Sequence, residues 1–238
     1  YRGVRFTDFC NELFKMPPPK REAPELVYPE KADYKPLPDT KVTVQRFFDK
    51  IETILSENTV VVADIGESLF GALNINTNGG SFICPAQYTS MGFAIPGALG
   101  VGLAKPNVRP VVLVGDGAFQ MSVAELGTIV KNGLNPIVFV LNNGGYATER
   151  LIMEGSFNDI PAWEYHKIVD VLGGTGYLVK TEEELESAVA AALLSKKLVV
   201  INVVVDPKDM SWSLKRATEG FKVGRITAEA SGNLNGRK

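Results

Sequence analysis

The chain has 238 residues, 45% hydrophobic and 22% charged, a balance that excludes a collagen, a coiled coil or a wholly disordered chain. Lys and Arg number 25 against 27 Asp and Glu, a net charge of −2, so no cationic excess drives nucleic-acid binding. Apolar runs such as Leu198–Val205 are strand-sized, far below the roughly 20 residues of a membrane span, and the two cysteines, Cys10 and Cys84, form neither a disulfide framework nor a metal spacing. A cytoplasmic protein with no nucleic-acid and no membrane partner is expected.

The N-terminus opens Tyr1-Arg2-Gly3-Val4-Arg5-Phe6, with no Met and no signal-peptide pattern, so a chain cut from something longer is expected. Phe6, Phe9, Cys10, Leu13 and Phe14 fall at the spacing of an amphipathic helix whose core partner is missing. Pro17, Pro18, Pro19, Pro24, Pro29, Pro36 and Pro38 deny residues 16–39 both helix and central strand, which predicts an extended interdomain linker. Val44, Phe47, Phe48, Ile51, Ile54 and Leu55 mark a helix, and Thr59-Val60-Val61-Val62 reads as a buried strand. Further strands are predicted at about 110–114, 136–141, 176–179 and 198–205, with helices at about 121–132, 163–172 and 181–195 between them. This alternation predicts an α/β fold, a mostly parallel sheet covered by helices on both faces. Ligands of such sheets sit at the carboxyl ends of the strands. The polar tail 231–238 is expected to fray.

Two strands end in chemically loaded turns. Val111-Val112-Leu113-Val114 runs into Gly115-Asp116-Gly117, placing a carboxylate at a strand end between glycines that let the backbone turn and approach a ligand. Carboxylate oxygens suit Mg²⁺, although Gly-Asp-Gly is also an ordinary turn sequence. Ile137–Leu141 runs into Asn142-Asn143-Gly144-Gly145-Tyr146, and residues 118–141 are enough for one crossover helix and a return strand. Two adjacent parallel strands would therefore end side by side, one with a carboxylate, the other with a carboxamide and a backbone carbonyl, a hard-oxygen set for Mg²⁺.

This pairing of Gly-Asp-Gly with Asn-Asn resembles the cofactor signature of the thiamine diphosphate enzymes. The longer string Asn142-Asn143-Gly144-Gly145-Tyr146-Ala147-Thr148-Glu149 resembles, more narrowly, the pyruvate, indolepyruvate and phenylpyruvate decarboxylases, in which Asn-Asn-x-Gly-Tyr-Thr-x-Glu is usual. The resemblance implies a three-layer α/β/α thiamine diphosphate-binding fold over residues 41–238, preceded by residues 1–40 as the end of a middle domain plus the Pro-rich linker. It implies thiamine diphosphate and Mg²⁺ as cofactors and Asp116, Asn143 and the Gly145 carbonyl as metal ligands. Glu67, Ser68, Thr89, Met91, Gly115, Gly117, Ala118, Tyr146 and Thr148 join Asp116, Asn143 and Gly145 as cofactor-binding residues by the same resemblance. Ile152 would line the substrate pocket, and Glu149 would be the catalytic acid, its pKa raised in a dry pocket. The plainer reading of Glu149 is a solvated acid paired with Arg150 on a helix surface, and that of Met91 a core methionine at a helix start.

Three positions depart from the family pattern. Asp64-Ile65 stand where Glu-Thr is common, Glu67 where Thr or Asp is common, and Thr89 where Gly is frequent; Glu67 facing a diphosphate would be repulsive without an intervening cation. His166, the one histidine, reads as structural or exposed on the helix 163–172, so no His-based triad or histidine cluster is available.

The resemblance covers about residues 42–225, the diphosphate-binding module. The pyrimidine-binding module, with its activating glutamate and His-His pair, has no counterpart in this sequence. The expectation is therefore the cofactor-binding part of a non-oxidative 2-oxo acid decarboxylase, inactive alone, completed by a pyrimidine-binding module from elsewhere in a homodimer or homotetramer. The alternatives are a fragment of an acetolactate synthase-like carboligase, or a non-catalytic assembly module that keeps the fold.

Overall fold

The computed structural model describes residues 3–17, 34–77 and 79–219; the predicted linker and the polar tail fall largely or wholly outside them. By their contacts the residues group into two units, 1–33 and 34–238. In the first, α1 (Phe6–Lys15) forms where the apolar spacing predicts it and buries none of its residues, leaving Phe6 80% and Phe14 86% exposed.

The second unit carries a six-stranded parallel sheet, formed by β1 (Thr59–Ala63), β2 (Ser81–Ile83), β3 (Arg109–Gly115), β4 (Ile137–Asn142), β5 (Thr175–Val179) and β6 (Val199–Val204) in the order β2-β1-β3-β4-β6-β5. β3 and β4 pair in parallel, Gly115 opposite Leu141, so their ends lie side by side as the spacing predicts. Alternation of side chains along each strand splits the core into two layers. Val61, Leu113, Phe139 and Ile201 face one cluster, built with α2 (Val44–Thr53) and α8 (Glu182–Leu194). Val62, Val112, Val138 and Val200 face the other, built with α4 (Ala94–Ala104), α5 (Asp116–Ser122), α6 (Glu125–Lys131) and the 3₁₀ turn Tyr165–Val171. The product is the predicted α/β/α sandwich. Both sheet faces being dry explains why the central strands read as unbroken runs of Val, Ile and Leu.

The α2 and α8 layer is locked at its surface by charge. Arg46 grips the buried Glu182 through Nε and Nη2 at 2.8 and 2.6 Å, stacks over the Tyr34 ring at 4.3 Å and donates to the Lys35 carbonyl at 2.6 Å, while Glu182 also accepts the Leu37 amide at 3.0 Å. The segment 34–37 is thereby strapped to the domain.

Several elements differ from the sequence expectation. The helix at 121–132 is two helices, α5 and α6, and the first begins at Asp116 because the Asp116 carboxylate accepts the Gly117 amide at 2.8 Å. Between them, Leu126 and Gly127 donate to carbonyls three residues back, which tightens and breaks the run. The segment at 163–172 is a 3₁₀ turn with no α-helix. Helix α3 (Glu67–Ala72) and strand β2 were not anticipated, while α4 and α7 (Ala147–Ile152) were expected only as a helix start at Met91 and a helix surface at Glu149, without bounds. The glycines and Pro96 of α4 hide it: Pro96 is tolerated in the first turn, and Gly97 and Gly102 admit Val62 and Leu134 at distances a side chain would obstruct. Among the described residues no helix is long and apolar enough to cross a membrane.

Candidate active site

The chain steps from the β2 side of the sheet to the β3 side between β1 and β3, and in open parallel sheets a crevice forms at such a switch point. Here it is a cavity of about 300 Å³ at the carboxyl ends of β1, β3 and β4, whose lining includes Glu67, Thr89, Met91, Asp116, Asn143, Thr148 and Glu149. Gly115, Gly117, Ala118, Gly145, Tyr146 and Ile152 also line it. One predicted residue does not: Ser68 is fully buried in α3, with its hydroxyl unpartnered.

Asp116 is 1% exposed. Its Oδ1 accepts the Gly117 amide at 2.8 Å, and its Oδ2 accepts the amides of Gly144 and Gly145 at 2.7 and 3.1 Å. The carboxylate of β3's end thus holds the loop after β4. Burial pushes its pKa up to about 6, against the pull of those amides and of Arg150. Asn143, also buried, leaves its Oδ1 without any hydrogen-bond partner, a loss of about 1–3 kcal/mol unless something meets it.

The glycines of this site do different work from that expected. Gly115 is extended (φ −71°, ψ 157°) and Gly117 helical, so neither makes a sharp turn; Gly117 is required because the Tyr146 ring lies 2.5 Å from where a Cβ would stand. Positive φ falls instead at Gly66 (+81°), Gly144 (+73°) and Gly145 (+145°), where L side chains are strained. A Cβ at Gly145 would also collide with the Asn158 carbonyl, which accepts the Tyr146 amide at 2.9 Å.

Glu149 lies in the first turn of α7, solvent-exposed at the mouth of the cavity, in place of the dry pocket expected for it. Nor is it paired with Arg150. That guanidinium donates to the carbonyls of Gly144 at 2.9 Å and Asn143 at 3.3 Å and to Asp159 Oδ1 at 2.7 Å. Among the described residues Glu149 has no ion-pair partner, and Ile152, 45% exposed, ends the same helix.

The turn after β1 resolves the repulsion expected of Glu67. Both its carboxylate oxygens accept the Ser211 amide at 3.1 Å, and burial raises its pKa. Asp64, also fully buried and raised by burial, accepts the amides of Ile65, Gly92 and Ala94 at 3.0, 3.1 and 2.8 Å. It ties the end of β1 to the loop bearing Thr89 and Met91. Thr89 adopts φ +57°, a conformation that is costly for a β-branched residue and that accounts for the fit of glycine at that place. Met91 lines the cavity and also packs on the core, so its packing role leaves it in reach of the cavity.

Sequence reasoning set the turn holding Asp64, Ile65, Gly66 and Phe70 against the diphosphate without giving Asp64 its holding role, and it missed Arg150, Asn158 and Asp159 as builders of the site and Leu141 and Ala147 as lining residues. Asp64 was findable as a second acid at a strand end; the others carry no local signal. His166 is half-buried, its Nδ1 unpartnered, and does not line the cavity.

Among the described residues no group of three or more His, Cys, Asp or Glu is placed to hold a metal. A cation here would rest on one carboxylate with carboxamide and backbone oxygens. That set fits a hard ion such as Mg²⁺, and the unpartnered Asn143 Oδ1 beside the Asp116-bound loop is the observation that supports the fit.

Residues 64–203 match the family model described as thiamine pyrophosphate enzyme, C-terminal TPP binding domain. Pyruvate decarboxylase 3 of Arabidopsis thaliana is 34% identical over 223 residues, covering 89% of this chain and 38% of that protein. An alpha-keto-acid decarboxylase of Mycolicibacterium paratuberculosis is 38% identical over 173 residues, covering 70% of this chain and 31% of that protein. The chain thus spans about a third of the length of these curated relatives. On the matched segment, which begins just after β1, runs to the penultimate residue of β6 and contains the whole cavity, the chain belongs to the thiamine pyrophosphate enzymes and carries their C-terminal TPP binding domain.

Proposed function

We propose that the chain is the cofactor-binding part of a thiamine diphosphate- and Mg²⁺-dependent decarboxylase that converts a 2-oxo acid to an aldehyde and CO₂. The observation that carries this reading is that Asp116, Asn143, whose buried Oδ1 has no partner among the described residues, and the exposed Glu149 all line one cavity. Asp116, Asn143 and the Gly145 carbonyl would hold Mg²⁺. Gly115, Gly117, Ala118, Tyr146 and Thr148 would surround the diphosphate, with Glu67 contributing its backbone while its carboxylate stays with Ser211. Met91 and Thr89 would support the rings from the opposite loop. Thiamine diphosphate, when bound, supplies a carbanion that adds to the substrate's ketone and takes up the electrons released with CO₂. Glu149 would move the proton that the product carbon requires, through its carboxyl at the cavity mouth. Ile152 would bound the substrate side.

A pyrimidine-binding module, from a longer protein or a second subunit, would close the open side beside Glu149 in a cytoplasmic homodimer or homotetramer. Enclosure by that module would supply the dry surroundings that raise a carboxyl pKa.

Calorimetric titration of the chain with thiamine diphosphate tests the reading. Binding should require Mg²⁺ and should weaken at least about tenfold in Asp116→Ala. Equal affinity with and without Mg²⁺, or in the variant, would refute the ligand assignment.

A further inference from the structure

The loop 143–146 carries the oxygens proposed for the metal, yet it contains two adjacent glycines at positive φ, whose backbone freedom is the greatest of any residue. Its polar groups are nonetheless almost all engaged. Asp116 accepts the amides of Gly144 and Gly145, and the Asn158 carbonyl accepts that of Tyr146. The guanidinium of Arg150 takes the carbonyls of Asn143 and Gly144. Among the groups that no described residue engages is the buried Asn143 Oδ1. Arg150 itself is nearly enclosed, its side chain 11% exposed, and is held from behind by Asp159 at 2.7 Å; Glu154 stands farther off, at 4.0 Å.

We infer that Arg150 is a positioning residue of the metal loop: with Asp159 as its tether, it clamps the Asn143 and Gly144 carbonyls so that the Asn143 carboxamide and Gly145 are presented to the cation. The planar fork suits this work, because it reaches two carbonyls and a carboxylate at once, which a lysine ammonium does with far poorer geometry. The same engagement keeps Arg150 away from Glu149, so the acid next to it in sequence stays free for the cavity. This inference rests on the cofactor-binding reading and adds to it a residue that touches neither metal nor substrate.

The test titrates Mn²⁺ into the chain with saturating thiamine diphosphate and follows free Mn²⁺ by electron paramagnetic resonance, with urea midpoints measured in parallel. Arg150→Met and Arg150→Lys should bind Mn²⁺ about 10- to 100-fold more weakly while folded, the range typical of groups that orient metal ligands. Asp159→Ala, at a side chain 64% exposed and so tolerant of substitution, should weaken binding severalfold without moving the urea midpoint. Mn²⁺ affinities of Arg150→Lys and Asp159→Ala within twofold of the unaltered chain would overturn the clamp and leave the cofactor-binding reading intact. Failure of the unaltered chain itself to bind Mn²⁺ would overturn both.

Discussion

Both carboxylate oxygens of Glu67 accept the backbone amide of Ser211 at 3.1 Å. An acid from the turn after β1 thus serves a helix 144 positions later in the chain, where Ser211 Oγ caps residues 212–219 by accepting the Leu214 amide at 3.2 Å. The feature that reads in sequence as a repulsive contact with a diphosphate is a tertiary cap directed elsewhere.

Glu67 yields a pH prediction. Burial raises its pKa above the ordinary 4.5, so the folded chain binds this proton more tightly than the unfolded one. The resulting stabilisation is complete below about pH 4.5 and is lost as pH rises through the folded value. Glu67→Gln keeps an acceptor for Ser211 without the charge. Its stability relative to the unaltered chain should be near zero at pH 4 and should grow in its favour towards pH 7, in urea titrations at both pH values. A difference that does not change with pH would contradict the assignment.

Thr89 holds φ +57° in an exposed loop. Thr89→Gly removes a strain of about 1–2 kcal/mol and adds back about 0.5–1 kcal/mol of chain entropy, so a net gain of about 0.5–1 kcal/mol is expected. A rise in the urea midpoint with unchanged slope checks it.

Arg46→Met strands the buried carboxylate of Glu182 with the Leu37 amide as its remaining partner, and should cost about 3–5 kcal/mol. Adding Glu182→Leu should recover most of that loss. Equilibrium denaturation of the single and double variants decides whether the pair acts as a unit.

Gly144 and Gly145 should respond differently to alanine. A Cβ at Gly144 meets nothing, while one at Gly145 meets the Asn158 carbonyl. Gly144→Ala should therefore cost about 1–2 kcal/mol of backbone strain and retain metal binding. Gly145→Ala should displace the loop and weaken Mg²⁺-dependent binding of thiamine diphosphate at least about tenfold. Calorimetry on both variants reads the contrast.

Glu149→Gln should leave cofactor affinity unchanged, because Glu149 takes part in none of the hydrogen bonds that hold the loop. In the protein with a complete site it should lower kcat by about 10²- to 10⁴-fold. Steady-state assay beside calorimetry separates the two effects.

The chain's own pattern determined the sheet and the corner where Asp116 and Asn143 meet. Runs such as Val111–Val114 and Ile137–Leu141 are unbroken because their strands are buried on both faces, and an acid or carboxamide following such a run must emerge at the carboxyl edge. Asp116 and Asn143 were legible for that reason, and the spacing between them implied adjacency. The short helices α3 and α7 and the edge strand β2 lacked the length over which periodicity shows. α4 was masked by glycines whose purpose is close packing against Val62 and Leu134.

Direction and partnership were decided by the tertiary structure alone. Whether Glu149 or Asp159 meets Arg150, and whether Glu67 faces the cavity or Ser211, depends on which backbone groups arrive from distant segments. Each buried acid takes the amides that folding brings within 3.1 Å. A desolvated carboxylate must find donors wherever the packed chain supplies them, and spacing along one segment carries no record of donors on another.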